Sequence, residues 1–180
     1  EVWNLESRVY RQDGSIIWVS EKQRAVYDSE TGDFLYFEGI VEDISARKHV
    51  EEKLQYQASH DGLTSLPNRD WFIYKLQELI DAQNIDAQNQ VNNYAILFID
   101  LDRFKGINDS LGHLVGDVLL KLVGQRLQTV VRSHDVVARF GGDEFAILLQ
   151  DIQQQEITTV AERILTVLQQ PFQLQGHLYS

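Results

Sequence analysis

The sequence predicts a chain of mixed α/β (α+β) class, in which antiparallel strands and a linker helix precede an α/β domain with a central sheet flanked by helices. Three observations carry that expectation. Residues 1–43 alternate with the period of a strand, residues 44–60 change to the spacing of a helix, and beyond Pro67 amphipathic helices alternate with strand-length apolar runs.

In the first region the apolar-rich runs cover residues 5–10, 16–19, 25–27 and 34–37. Asp13-Gly14 and Thr31-Gly32-Asp33 are turn-forming sequences between such runs, so hairpins joining antiparallel strands are the economical arrangement. A small sheet with no second layer would be marginal by itself. Trp3, Trp18 and Tyr36 read as core or sheet-face aromatics rather than as a cofactor pocket. Over residues 44–60, Val50, Leu54 and Gln57 stand at heptad-like spacing among Arg47-Lys48 and Glu51-Glu52-Lys53. The stretch is too short to separate a coiled-coil signalling helix from a solvated linker.

Asn68 is placed to cap a helix whose apolar face is Phe72, Leu76, Leu79 and Ile80, and the polar residues 81–93 then read as a loop or frayed end. Residues 94–101 (YAILFIDL) are almost continuously apolar, as a strand covered on both faces would be. A second helix carries Leu119, Leu122, Val123, Leu127 and Val130 on one stripe. Residues 136–140 and 145–149 flank Gly141-Gly142 as a hairpin, and a last helix buries Ile157, Val160, Ala161, Ile164, Leu165 and Leu168.

With 180 residues and 43% hydrophobic content the chain can bury a core. Its net charge of -11 excludes a general nucleic-acid or anionic-membrane surface while leaving room for an isolated nucleotide site. The sequence has no cysteine, hence neither disulfide nor thiolate metal site. No apolar run approaches the roughly 20 residues that span a bilayer, so the segment reads as soluble. Glu1 stands where a start methionine would, and Tyr179-Ser180 falls inside a strand-like pattern, so the expectation is a piece of a longer protein.

Two acidic features sit at strand ends. Asp100 and Asp102 close the apolar strand, and Asp143-Glu144 follow the Gly141-Gly142 turn. Carboxylates at the ends of neighbouring strands can converge on a hard cation such as Mg²⁺, which takes oxygen ligands. A turn without side chains lets a phosphate approach the backbone. Each feature alone is weak, because acidic residues at strand ends are usually just solvated.

Four ordered motifs strengthen the reading: DGLTSLPNR from Asp61, FIDLDRFKGIND from Phe98, GHLVGD from Gly112 and RFGGDEF from Arg139. With them the chain resembles the GGDEF family from Asp61 onward, a fold resembling the nucleotidyl cyclase palm. The resemblance implies a diguanylate cyclase that condenses two GTP into cyclic di-GMP and two pyrophosphates across two facing domains. It places Mg²⁺ (or Mn²⁺) on the Asp100 carboxylate, the Leu101 carbonyl and the Asp143 carboxylate. It gives Asp143, with Glu144, the catalytic part, and Lys105 the stabilisation of transition-state charge. Asn108 and Asp117 match the guanine readers, Phe104 and Lys105 the phosphate segment, and Gly141 and Gly142 the turn under the phosphates. His113 lies nearby, where it either shapes the turn before the helix or meets substrate. Asn108 has the alternative of a turn-forming side chain.

Arg132 and Asp135 stand at the family's offset from the Gly-Gly turn for an inhibitory product site, so feedback by cyclic di-GMP is expected. Residues 1–43 resemble the closing strands of a PAS domain, with Gly39–Lys48 as the usual exit into a linker helix. The expected domains are therefore 1–43, the C-terminal part of a PAS domain; 44–60, the linker helix; and 61–180, a C-terminally truncated GGDEF domain. The partners implied are GTP, cyclic di-GMP and a second copy joined through the GGDEF domain and linker helix. GTP use implies a cytoplasmic location, with the parent open to membrane anchoring. The rival readings are a GTP-binding regulatory module in front of an EAL-type phosphodiesterase and an interaction scaffold.

Overall fold

The structure, a computed structural model, describes residues 2–85, 93–174 and 177–179. The chain forms two compact units, Glu1–Tyr56 and Gln57–Ser180.

The first unit is an antiparallel meander of β1 (Val2–Tyr10), β2 (Ile16–Tyr27) and β3 (Phe34–Asp43), with β2 in the middle. The runs at 16–19 and 25–27 are one strand, because the polar residues between them keep their pairing on both sides. Helix α1 (Ser45–Ser59) is tied to this sheet at its first turn. Asp43 accepts the Ser45 N–H at 3.0 Å, and the Ser45 hydroxyl accepts the Trp18 N–H at 3.0 Å. Arg47 and Lys48 both pair with Glu6 at 2.7 Å, and the Lys48 ammonium stands 5.3 Å from the Trp18 ring centre. Trp18 is thus a sheet-face aromatic, and Trp3 packs edge-on against Phe37 at 5.9 Å. Val50 and Leu54 of the heptad-like stripe are exposed.

The second unit has a sheet in the order β4 (Tyr94–Asp100), β6 (Glu144–Gln150), β5 (Val136–Gly141), all antiparallel. Period-2 alternation along β6 sends Phe145, Ile147 and Leu149 to one core and Ala146 and Leu148 to another. The first core is covered by α4 (His113–Val130) and α5 (Gln154–Leu168), the second by α2 (Arg69–Ile85). The Asn68 carboxamide caps α2 by accepting the Trp71 N–H at 2.9 Å. That helix runs on past Ile80 to Ile85; the rest of the expected loop, residues 86–92, lies outside the described residues. Capping of α5 is reciprocal between Gln153 and Glu156. Its far end is held from α4, where Arg126 donates to the Val167, Gln170 and Pro171 carbonyls and stacks on Phe172 with 3.6 Å to the ring centre. Phe172 opens a short hairpin of β7 (Phe172–Leu174) and β8 (His177–Tyr179).

Two expectations are corrected. Strand β4 is covered on both faces only in part: Ala95, Leu97 and Ile99 pack against the first core and Tyr94 and Ile96 against the second, but it pairs only with β6 among the described residues and Phe98 is 71% exposed. The strand buried from Phe145 to Leu149 is β6, whose position between two neighbours and two helical layers a continuous apolar run cannot reveal. Leu165 of α5 is exposed, since the stripe that faces α4 centres on Val160 and Ile164.

Candidate functional site

The acidic residues meet at one end of the second sheet. Asp100, last in β4, pairs across the sheet with Glu144, first in β6, and Asp143 immediately precedes it in the turn. That turn favours its glycines, because Gly141 has φ 139 and Gly142 φ 52, and the former is a backbone conformation that strains any side chain. The register shifts between Arg139 and Gly141, leaving Phe140 as the extra residue of a bulge. Its ring packs edge-on against Phe72 at 5.2 Å and Phe98 at 5.6 Å.

Arg139 fixes the turn from below. Its Nε and Nη2 donate to the Gly142 carbonyl at 3.1 and 2.7 Å, and its Nη1 donates to Asp61 at 2.8 Å. The same Asp61 oxygen accepts the Thr64 N–H at 2.8 Å and the Thr64 hydroxyl at 2.6 Å. Burial works to raise the Asp61 pKa, but the hydrogen bonds from Thr64 and Arg139 outweigh it and hold the carboxyl below its ordinary value. The Arg139 N–H also donates to the Pro67 carbonyl at 3.0 Å, so the DGLTSLP segment and the Gly-Gly turn form one locked piece.

After β4 the chain reverses at Arg103, a left-handed residue with φ 61, and enters α3 (Phe104–Leu111). This helix was not foreseen as a separate element. Phe104 is buried in the core while Lys105, next in the helix, stays exposed. Among the described residues no side chain caps α3, and the Leu101 carbonyl accepts only the Phe104 N–H, at 3.2 Å, among backbone donors. Asn108 lies inside α3 rather than in a turn, and Gly112 breaks the chain before α4 begins at the exposed His113. The Asn108 Oδ1 is buried with no hydrogen-bond partner among the described residues, and Asp117 follows on the first turns of α4.

Among the described residues no group of three or more His, Asp or Glu side chains could hold a metal alone. The edge nevertheless fits a hard cation. Asp100 and Asp143 offer carboxylate oxygens, Leu101 a carbonyl with a lone pair to spare, and phosphate oxygens could complete the shell.

Arg132 and Asp135 shape one turn between α4 and β5. Asp135 is 5% exposed in its side chain and accepts the Arg132 N–H at 2.8 Å and the Gln150 N–H at 3.1 Å. The Arg132 guanidinium reaches Glu156 of α5 at 3.0 Å. Both residues line a cleft of about 510 Å³ between α4 and α5. The residues whose roles went unnoticed in the sequence are Asp61 and Arg139. Their signal was present, since each stands in a recognised motif, but only the fold brings residues so far apart in the chain together.

The chain spans only 11% to 27% of the length of the curated relatives it matches. It is 40% identical over 129 residues to the probable diguanylate cyclase DgcE of Escherichia coli, covering 72% of this chain and 11% of that protein. Its fold matches the GGDEF domain of TpbB from Pseudomonas aeruginosa with a TM-score of 0.61 and 41% identity, over 67% of this chain and 69% of that one. It also matches the coiled coil and GGDEF domain of DgcB from Caulobacter crescentus, solved with c-di-GMP, with a TM-score of 0.65 and 26% identity over 75% and 69%. The family model described as diguanylate cyclase, GGDEF domain, matches residues 58–179, and the chain therefore belongs to the GGDEF family.

Proposed function

We propose that the second unit is the GTP-binding part of a diguanylate cyclase, and that the first unit, as the closing strands of a PAS sensor, gates it through α1. The observation that carries this reading is the acidic edge: Asp100 and Glu144 in register, with Asp143 on a Gly-Gly turn that Arg139 holds rigid. Preorganisation of that kind is what phosphoryl transfer asks of a protein, because positioning and charge stabilisation supply most of the catalysis.

Each GTP is held with its triphosphate between the Gly141-Gly142 turn and the start of α3, where uncapped N–H groups and Lys105 face the phosphates. Asn108 and Asp117 take the guanine, whose N1 and N2 donate and whose O6 accepts. Asp100, the Leu101 carbonyl and Asp143 hold Mg²⁺ or Mn²⁺, which supplies charge neutralisation at the phosphates. The 3′-hydroxyl of one GTP attacks the α-phosphorus of the GTP on a second copy, a P–O bond forms, and pyrophosphate leaves with the electron pair of the Pα–O bond. Asp143, assisted by Glu144, receives the hydroxyl proton. The same exchange at the other 3′-hydroxyl closes the ring. Arg132 and Asp135 bind the product, cyclic di-GMP, through the guanidinium and the carboxylate.

Two domains must meet, so pyrophosphate release from GTP and Mg²⁺ should rise faster than linearly with protein concentration and vanish in Asp143→Ala. A preformed dimer would make the rate proportional to concentration, but pyrophosphate release untouched by the substitution would remove the reading.

A further inference from the structure

Gly116 and Gly124 both lie on the buried face of α4, and a side chain at either would collide with a neighbour. What they would strike differs. A Cβ on Gly124 would stand 2.9 Å from Leu66 Cδ1 and 3.8 Å from Phe145 Cε1, so Gly124 is a site of close packing against the apolar core. A Cβ on Gly116 would stand 2.0 Å from the Asn108 Oδ1, 3.0 Å from its Cγ and 3.2 Å from Phe104 Cζ. The Asn108 amide thus fills the space that a side chain at 116 would need.

That Oδ1 is buried and, among the described residues, accepts no hydrogen bond, so no donor fixes the oxygen and the walls of the notch bound where it stands. A methyl group at 116 would force the amide to give way by about 1 Å to reach even a tight contact, and the buried Phe104 ring limits where it can go. Hydrogen bonds to a base edge tolerate little of such a shift.

We propose that Gly116 is a positioning residue for nucleotide recognition: by lacking a side chain it sets where the Asn108 amide stands, and through that amide it sets the preference for guanine over adenine. This rests on the reading of Asn108 as a base contact and extends it to a residue with no functional group of its own.

The test is calorimetric binding of GTP and ATP, each with Mg²⁺, to the whole chain and to Gly116→Ala, Asn108→Ala, the double variant and Gly124→Ala. Gly116→Ala should weaken GTP at least about tenfold and leave ATP nearly unchanged, narrowing the preference as Asn108→Ala does. In the Asn108→Ala background, which removes the colliding atoms, adding Gly116→Ala should change GTP binding by less than about twofold. Gly124→Ala should lower the melting temperature without altering the GTP-to-ATP ratio. A Gly116→Ala chain that keeps its preference, or a double variant that binds GTP far more weakly than Asn108→Ala, overturns the inference. The second comparison still decides if Gly116→Ala alone does not fold. An unsubstituted chain that binds no GTP overturns the reading of the site itself, and the inference with it.

Discussion

Each unit is built on a three-stranded antiparallel sheet with one strand paired on both edges, yet apolar side chains meet opposite fates in the two. In β3 every residue is exposed, Phe34, Leu35, Tyr36, Phe37, Ile40 and Val41 included. In β6 the five residues from Phe145 to Leu149 are all buried. The sequences are comparably apolar, so composition does not decide burial. Helical layers on both faces of the second sheet do, and the acidic edge sits on that well-packed sheet.

The sharpest way to break this contrast is to cut one large side chain from each sheet. Phe145→Ala should cost about 3–5 kcal/mol, the usual loss for an aromatic removed from a packed core, while Phe37→Ala, 58% exposed, should cost under about 1 kcal/mol. Urea denaturation followed by circular dichroism measures both. Equal losses would mean that another layer covers β3 in solution.

The next effect concerns the lock beneath the Gly-Gly turn. Arg139→Ala takes the guanidinium from Asp61, leaving it the two Thr64 hydrogen bonds, and frees the Gly142 carbonyl, and should cost about 2–3 kcal/mol. The Asp61 carboxyl is held below its ordinary value, so its stabilisation is fully present above that value and is lost as pH falls through the lower folded pKa. Asp61→Asn should therefore flatten the acid limb of the second unit's melting curve.

Gly141→Ala comes third. At φ 139 an alanine is strained, at a cost of about 1–3 kcal/mol, and the strain should appear as loss of nucleotide binding before loss of fold. A Gly141→Ala chain with unchanged stability would mean that the turn adopts another conformation.

The smallest effect is in the first unit. Hydrogen bonds from Lys48, then Arg47, lower the Glu6 pKa from 4.5 to about 2. The anchoring of α1 is thus present above pH 4.5 and fades between there and about pH 2. An NMR titration of the Glu6 carboxyl in wild type and in Lys48→Met should show the pKa returning toward its ordinary value in the variant.

Much of this was legible in advance for physical reasons. Period-2 runs bounded by Asp-Gly and Thr-Gly-Asp report on local geometry, and they located β1 to β3 and the β5–β6 hairpin. The acidic edge was legible because its residues flank strand ends directly. Burial of whole strands was not, since β4 and β6 differ in their neighbours rather than in their side chains. The Asp61–Arg139 lock and the Gly116 notch were illegible because each depends on residues that only the fold brings into contact.

The measurement closest to the central claim is incubation of the full-length parent protein with radiolabelled GTP and Mg²⁺, as wild type and as Asp143→Ala, followed by chromatographic separation of the nucleotides. The account predicts cyclic di-GMP from the wild type and none from the variant. GTP bound by the wild type but recovered unchanged would contradict it.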